Sequence, residues 1–147
     1  MDTPLLRKMA EPDLPSVLDI ERLCFSMPWS EASFLSELYS PRSIVMLAEI
    51  NGKVVGYICV SHFEEEAQLL NLAVHPDFRK SGTGRALLSS ALYRLKENGC
   101  KNIFLEVRES NSTSIKFYEK SGFRQSGNRK NYYIKPVENA VIMRLEL

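Results

Sequence analysis

The chain has 147 residues and a net charge of +1, with 44% hydrophobic and 25% charged residues, as in an average soluble domain of this length. So small a net charge gives no general attraction to nucleic acid or to a membrane surface. No segment approaches the roughly 18 apolar residues of a membrane span, and the first residues lack the pattern of a secretory signal. Composition therefore predicts one soluble domain, residues 1–147, in the cytoplasm.

The first half of the chain predicts one strand, two helices and a meander of three strands. Asp13 and Ser30 are suited to cap the two helices, and Pro41 ends the second. Asn51-Gly52 is a strong signal for a tight hairpin. The first predicted strand is Leu5–Met9. A helix from Asp13 to near Cys24 follows, with Leu14, Val17 and Leu18 inward, and then a short helix from Ser30 with Phe34, Leu35 and Leu38 on one face. The meander consists of strands at Ser43–Ile50, Lys53–His62 and Ala67–Val74, with a solvated turn at Glu64–Glu66.

The second half predicts alternating helices and strands. Gly99 and Gly122 lie just past the ends of two helical patterns, where a left-handed residue commonly closes a helix. This order of elements predicts an α/β or α+β fold, a mixed sheet with helices covering it. The predicted elements are a helix carrying Leu88, Ala91, Leu92 and Leu95 on one face, a strand at Asn102–Val107, a helix at Asn111–Lys120, and final strands at Phe123–Asn128 and Ala140–Leu147.

The loop between Val74 and the following helix has the composition of a diphosphate site. Gly82 and Gly84 let backbone N–H groups approach a ligand closely, and the helix start adds the positive end of its dipole. Arg79, Lys80 and Arg85 supply positive charge. Two glycines also occur in ordinary strand-to-helix turns, so that alternative stays open. The spacing fits neither a Walker loop nor the three-glycine dinucleotide fingerprint.

Three blocks, taken together, resemble the GNAT acetyltransferase superfamily. The first is similar to its acetyl-CoA signature, and all three stand in the expected order from about residue 69 onward. The resemblance implies acetyl-CoA as co-substrate and a mostly antiparallel central sheet of about six to seven strands flanked by about four helices. The blocks are Arg79-x-x-Gly82-x-Gly84, Leu105-Glu106-Val107-Arg108-x-x-Asn111 and Phe117-Tyr118-Glu119-Lys120-x-Gly122-Phe123.

Shorter blocks are similar to the ribosomal-protein-alanine N-acetyltransferase (RimI) type within that superfamily. This narrower resemblance implies acetyl transfer to the N-terminal amine of a small-subunit ribosomal protein, with no direct binding of nucleic acid. The blocks are Pro28-Trp29-Ser30, Leu105-Glu106-Val107-Arg108, Asn131-Tyr132-Tyr133 and Glu138-Asn139-Ala140-Val141-Ile142-Met143.

Glu106 and Tyr118 are the candidate catalytic residues. A peptide α-amine has a pKa of about 7.7–8.0, so a base must remove its proton before it attacks a thioester. Glu106 has apolar neighbours along its strand, where partial desolvation makes a carboxylate a stronger proton acceptor; a surface glutamate or an ion pair with Arg108 is the alternative. Tyr118 lies one turn after Ile115, where a tyrosine is usually core. The resemblance implies that Glu106 is the base and that Tyr118 protonates the leaving thiolate.

The candidate cofactor residues act partly through backbone and partly through side chains. Leu72, Ala73 and Val74 are expected to offer N–H and C=O groups to the pantetheine amides, like an added strand. Asn111 is expected to cap the following helix, and by the resemblance to contact the pantetheine or phosphate arm. The complete set is Leu72, Ala73, Val74, Arg79, Lys80, Ser81, Gly82, Thr83, Gly84, Arg85, Asn111 and Tyr118.

Trp29, Tyr132 and Tyr133 are candidates for the wall of the acceptor-peptide site. They form an aromatic set, with the two tyrosines in a segment that reads as turn-rich, although plain packing explains such residues almost as well. No metal is predicted, because His62 and His75 lack ligand spacing. The three widely spaced cysteines are expected to be reduced and mostly buried.

Three other functions stay open at this stage. A related enzyme could acetylate a small amine such as a polyamine, an aminoglycoside or an amino acid, and the Glu64–Glu66 run could supply an acidic pocket for it. A regulatory module could bind acyl-CoA without catalysis, but it would need neither Glu106 nor Tyr118. A nucleic-acid-binding protein would need a basic stripe that the sequence lacks.

Overall fold

A seven-stranded sheet forms the centre of the computed structural model, which describes residues 3–147. The strand order is β1-β2-β3-β4-β5-β7-β6, and every neighbouring pair is antiparallel except β4 with β5. This confirms the predicted mixed, mostly antiparallel sheet. The strands are β1 Leu5–Lys8, β2 Ser43–Ile50, β3 Lys53–Phe63, β4 Glu66–Val74, β5 Asn102–Arg108, β6 Arg124–Ile134 and β7 Val137–Glu146.

Four α-helices cover the two faces of the sheet. They are α1 Leu14–Cys24, α2 Glu31–Leu38, α3 Thr83–Glu97 and α4 Ser112–Lys120, with short 3₁₀ turns at Glu11–Asp13 and Pro76–Phe78. The strands alternate between two cores: Met46 and Ile58 pack on the α3–α4 side, whereas Leu47 and Tyr57 pack on the α1–α2 side. In the described part of the chain, no helix is both long and apolar enough to cross a membrane.

The most important feature for function is that β4 and β5 pair only at one end. Three residue pairs join them in parallel, from Glu66↔Asn102 to Gln68↔Phe104, although both strands continue well beyond. On its other edge, β5 stays paired with β7 throughout. The two strands therefore separate after Gln68 and Phe104, and a gap opens in the sheet with unpaired backbone edges along it.

Local signals explain most element boundaries. Asn51 and Gly52 both have positive φ, 53° and 78°, as a two-residue hairpin requires. Ser30 caps α2 by accepting a hydrogen bond from the Ser33 N–H. The predicted cap of α1 is wrong: the Asp13 carboxylate instead accepts from the Ala10 N–H and pairs with Arg7. The guanidinium of Arg7, which hydrogen-bonds this carboxyl, also lowers the pKa of Asp13.

The last two strands are longer than the sequence predicts. β6 continues to Ile134 and β7 begins at Val137, so the segment expected to be turn-rich is a hairpin. An irregularity in its register lies between Arg129 and Tyr133. There the Asn131 backbone takes a φ of 53° and its N–H donates to the Asn139 side chain at 3.0 Å. Polar residues that indicate a turn in isolation are thus held in a strand by cross-strand contacts.

Candidate active site

A groove of about 790 Å³ lies on the α3–α4 side, where β4 ends and α3 begins. We call it the cofactor groove. All the predicted cofactor residues line it except Ser81, whose hydroxyl hydrogen-bonds the Phe78 carbonyl inside the loop. Its walls are Cys24, Phe25, Leu72, Ala73, Val74, Phe78, Arg79, Lys80, Gly82, Thr83, Gly84, Arg85, Asn111, Thr113, Ser114, Phe117 and Tyr118.

The start of α3 forms the polar end of the cofactor groove. Gly82 takes a φ of 85° as the N-cap residue, and the Ala86 N–H donates to its carbonyl at 2.9 Å as the first helical bond. The amides of the first turn, from Thr83 to Arg85, have no acceptor within the helix. A Cβ at Gly84 would lie 3.6 Å from Phe117 and Val74, which is an ordinary contact distance. These amides and the helix dipole suit a phosphate group.

The three predicted cations take different positions. Lys80 and Arg85 are exposed at the groove and have no acidic partner in residues 3–147. Arg79 instead turns back onto β4, where its Nε donates to the Val74 carbonyl at 3.2 Å and its Nη2 lies 3.2 Å from the Cys24 sulfur. Lys80 and Arg85 are therefore free for an anion, whereas Arg79 fastens the loop to the end of the strand.

The free edge of β4 forms the long wall of the cofactor groove. Cys59 pairs with Asn71 and Val60 pairs with Leu69, so Leu70 is an extra residue that makes a bulge. The bulge lies where β4 leaves β5 and redirects the three residues that follow. Leu72, Ala73 and Val74 stay paired with β3 on one edge and have no strand on the other. This edge can pair with the amides of an extended ligand.

Tyr118 and Asn111 reach the cofactor groove from α4. Asn111 caps the helix as predicted, its side chain accepting from the Ser114 N–H at 3.1 Å. Tyr118 is buried and packs edge-on against Phe117 and Phe123. Burial raises the pKa of Tyr118 well above its usual value, with a smaller contribution from Tyr133. The hydroxyl thus stays protonated and available as a donor.

Glu106 lies on the opposite face of the sheet, so the two candidate catalytic residues do not share one groove. It lines a second, open groove of about 850 Å³ together with Phe104 and Arg129. Its carboxylate is 3.4 Å from the Arg129 Nε, whereas Arg108 pairs with Glu138 instead. The alternative that the sequence left open, an ion pair between Glu106 and Arg108, is therefore wrong. Apolar residues flank Glu106 along its own strand, and β6 brings Arg129 across to it from outside that strand.

Tyr132 and Tyr133 connect the two faces. Their rings are 5.1 Å apart and nearly perpendicular. A hydrogen bond to Glu106 raises the pKa of Tyr132, and burial raises the pKa of Tyr133 to about 12. The charge of Glu106 also raises the pKa of Tyr133, and Tyr133 in turn raises the pKa of Tyr118. Tyr133 therefore interacts electrostatically with both candidate catalytic residues.

Arg108 holds the tip of the β6–β7 hairpin in place. Its guanidinium donates to the carbonyls of Lys135 and Pro136, both at 2.9 Å, and lies 4.3 Å from the centre of the Tyr133 ring. Hydrogen bonds from Ser110 lower the pKa of Glu138, which keeps this partner of Arg108 ionised into the acid range. The hairpin that carries the two tyrosines is thus fastened to β5.

Trp29 lies in the loop between α1 and α2, outside the walls of both grooves. Its ring packs against Phe34 at 5.0 Å, so part of the packing alternative is confirmed. The Ser26 hydroxyl in the same loop donates to the Lys135 carbonyl at 2.9 Å. The loop and the hairpin are therefore in contact.

Sequence reasoning missed several contributors to the site. Phe25, Phe78 and Phe117 line the cofactor groove, and Arg108 was considered only as a partner for Glu106. The most informative omission is Glu21, which is almost completely buried. A signal for it existed: Glu21 continues the inward stripe of Leu14, Val17 and Leu18 at the i+7 position, where a charged residue is out of place. Among residues 3–147 no cluster suited to a metal is present.

Comparison with known proteins agrees with this geometry. A model of the acetyltransferase (GNAT) family matches residues 14–123. The [ribosomal protein bS18]-alanine N-acetyltransferase of Escherichia coli strain K12 is 37% identical over 137 residues, which cover 92% of each chain. The protein of the same name from Haemophilus influenzae Rd is also 37% identical, over 134 residues that cover 89% of this chain and 90% of its own.

Solved structures show the same relationship. The ribosomal-protein-S18-alanine N-acetyltransferase from Escherichia coli superposes with a TM-score of 0.90 at 35% identity, covering 98% of this chain and 94% of its own. Ard1 from Thermoplasma volcanium superposes with a TM-score of 0.91 at 30% identity, over 99% of both chains. The chain belongs to the acetyltransferase (GNAT) family, and it is an N-acetyltransferase.

Proposed function

We propose that the protein is a single catalytic domain that transfers an acetyl group from acetyl-CoA to the N-terminal amine of a protein. The observation that carries this proposal is the gap between β4 and β5. It opens on one side to the cofactor groove and on the other to Glu106. A thioester and an amine can therefore reach the same point from opposite faces of the sheet.

The residues of the cofactor groove fit acetyl-CoA. The amides at the start of α3 would hold the pyrophosphate, with Lys80 and Arg85 adding charge. The free edge of Leu72, Ala73 and Val74 would pair with the pantetheine amides, and one N–H of this edge can face the thioester oxygen as negative charge develops there. Asn111 would contact the pantetheine or phosphate arm, and Ser81 and Thr83 would support the loop before α3.

Glu106 would act as the base on the acceptor side. The amine nitrogen attacks the thioester carbon, and Glu106 takes the proton that the nitrogen loses, directly or through one water. Arg129 and Tyr132 hold this carboxylate toward the gap.

Tyr118 would act as the acid on the cofactor side. As the carbon–sulfur bond breaks, its hydroxyl gives a proton to the leaving thiolate. Burial keeps this hydroxyl protonated at every physiological pH. Tyr133 would orient the acceptor together with Tyr132 and Trp29.

The acceptor is proposed to be the N-terminal alanine of a small-subunit ribosomal protein, which places the reaction in the cytoplasm. Relatives whose names give this activity align with nearly the whole chain. Acetylation of a small cationic amine has less support from the acidic run at residues 64–66. Glu64 and Glu65 lie at the turn between β3 and β4, where Glu65 pairs with Lys101 at 2.9 Å, and of this run Glu66 alone lines the groove of Glu106.

A panel of acceptors tests this proposal. The protein would be incubated with acetyl-CoA and either peptides beginning with alanine or serine, or small amines: a polyamine, an aminoglycoside and a free amino acid. Thiol release and mass spectrometry would measure transfer. We expect the Ala-starting peptides to be acetylated fastest. Faster transfer to any small amine would overturn the assignment of a protein N-terminus.

A further inference from the structure

Glu21 is a buried carboxylate that the proposed reaction does not use. It lies in the last turn of α1 with 1% of its surface exposed. Its Oε1 accepts hydrogen bonds from the Tyr57 hydroxyl at 2.7 Å and the Asn71 side-chain amide at 2.9 Å, and its Oε2 accepts from the Trp29 backbone N–H at 2.9 Å. One side chain thus joins α1, β3, β4 and the α1–α2 loop.

A buried carboxylate at this position makes the folded state less stable than apolar side chains of the same size would. A buried carboxylate loses its hydration, and in residues 3–147 no cation contacts Glu21 to offset that loss. All three donors are neutral, and burial together with the charge of Glu21 raises the pKa of Tyr57, which keeps its hydroxyl a donor. Apolar residues would pack the same space at less cost, so the carboxylate must serve a geometric purpose.

Two of the three donors, Asn71 and Trp29, belong to segments on the cofactor side and on the acceptor side. Asn71 directly precedes Leu72 on the free edge of β4 and follows the bulge at Leu70. Trp29 belongs to the loop that meets the β6–β7 hairpin through the contact of Ser26 with Lys135. Glu21 is therefore bonded at once to the strand on the cofactor side and to the loop on the acceptor side.

We propose that Glu21 is a positioning residue that fixes the Trp29 loop relative to the free edge of β4, and so sets where the acceptor amine meets the thioester. This inference rests on the proposed acceptor site. It assigns no proton transfer to Glu21, whose atoms are sealed from both grooves.

The Glu21→Gln substitution separates the two groups of contacts in this network. The β3–β4 arm is made by Tyr57 and Asn71, and the loop arm is made by Trp29. A glutamine oxygen in place of Oε1 still accepts from Tyr57 and Asn71. Its amide nitrogen then faces the Trp29 N–H, and two donors meet where one bond existed. The variant should keep the β3–β4 arm and lose the loop arm. Tyr57→Phe is the matched control, because it removes a hydrogen bond from the same carboxylate but leaves the Trp29 arm intact.

Trp29 is the single tryptophan of the chain, so its fluorescence reports the loop directly. In Glu21→Gln we expect faster quenching of Trp29 by acrylamide. We also expect an increase of about tenfold in KM for an Ala-starting peptide, the equivalent of one lost hydrogen bond to a charged group. The kcat and the Kd for acetyl-CoA should change less than about threefold. Tyr57→Phe should lower the Tm but keep both the quenching and the peptide KM near those of the wild type.

The outcomes are distinguishable from those of the proposed function. If the wild type acetylates no peptide, the acceptor assignment fails, whereas the quenching result still tests the loop contact. If Glu21→Gln only lowers the Tm, with unchanged quenching and KM, Glu21 is merely structural and the inference is wrong. If Glu21→Gln fails to fold, Glu21→Asp takes its place, because its side chain is one methylene shorter and its carboxylate does not reach the three donors. Glu21→Asp must then show the same rise in peptide KM and in the quenching of Trp29. Unchanged values in that variant would contradict the inference.

Discussion

The two faces of the reaction gap are built in different ways. On the cofactor side, the main features are backbone groups: the amides at the start of α3 and the free edge of β4. On the acceptor side, side chains from distant parts of the chain hold one another, as when Arg108 binds the carbonyls of Lys135 and Pro136 and Arg129 pairs with Glu106. The cofactor side is thus local in sequence, whereas the acceptor side depends on long-range contacts.

This difference has a consequence for substitutions. A backbone site is damaged when a side chain forces the backbone to move, and most side-chain changes leave it intact. A site made of side chains is damaged one contact at a time. Variants that disturb the backbone of the cofactor side should therefore change the Kd for acetyl-CoA, and variants on the acceptor side should change kcat or the peptide KM. Tyr118 acts through its side chain on the cofactor side, so its loss should also fall on kcat.

The largest effect is expected for Glu106→Gln. Losing a positioned base typically costs about 10²–10⁴-fold in rate, and here the loss should fall on kcat with the Kd for acetyl-CoA nearly unchanged. The rate should rise again above about pH 8, since solvent then deprotonates the α-amine. Thiol release measured from about pH 6 to pH 10 checks this. Exposed Glu109→Gln is the control, and an equal loss in that variant would remove the special role of Glu106.

Tyr118→Phe should lower kcat within the same range or somewhat less, without rescue at high pH. The reason is that its hydroxyl supplies a proton, and alkaline solvent offers fewer acids. Because burial raises the pKa of Tyr118, the protonated form persists above the usual tyrosine pKa, and the wild-type rate should not fall near pH 10. The same pH series, with exposed Tyr93→Phe as control, gives the answer. Alkaline rescue of Tyr118→Phe would exclude it as the acid.

Gly82→Val should weaken acetyl-CoA binding about tenfold, because a β-branched residue at a φ of 85° costs about 1–2 kcal/mol and the loop would move to relieve it. Gly52→Val is a matched control: its φ is 78°, nothing lies within 4 Å, and it is in the β2–β3 hairpin. Both variants should lose stability, but calorimetry should find weaker coenzyme binding only for Gly82→Val. Equal affinities of the two folded variants for acetyl-CoA would show that this loop does not bind the phosphates.

Arg108→Gln should have the smallest effect, a rise in peptide KM of about three- to tenfold with coenzyme affinity unchanged, since the β6–β7 hairpin loses its contact with β5. Arg144→Gln is the control: Arg144 lies on β7 and donates two hydrogen bonds to Asn102, away from the hairpin tip. Steady-state kinetics of the two variants would separate them. A similar KM rise for Arg144→Gln would mean general loosening of the sheet.

How well the sequence predicts each side follows the same division. The hairpin at Asn51-Gly52, the cap at Asn111 and the glycine at the start of α3 depend on residues close together in the chain, and the structure confirms them. They were predictable because the conformation of a turn or a helix end is fixed by a few neighbouring residues.

The acceptor side was less predictable because its contacts span many residues. Nothing near Glu106 in sequence indicates Arg129, and nothing near Tyr132 indicates that its segment is a strand. Cross-strand pairing and the contact of Arg108 with the hairpin tip override local preference there. Glu21 was visible as a charge on an apolar stripe, but its three donors come from β3, β4 and the loop, which only the folded chain brings together.

The most direct test of the two-sided site uses one peptide with two amines. A peptide beginning with alanine and carrying an internal lysine would be incubated with acetyl-CoA and the protein, beside the same peptide blocked at its N-terminus. A lysine amine, with a pKa near 10.4, holds its proton more tightly than an α-amine near 8. Fragmentation mass spectrometry should locate the acetyl group on the N-terminal amine, with little transfer to the blocked peptide. Equal rates on both peptides, or acetyl on the lysine, would contradict the account.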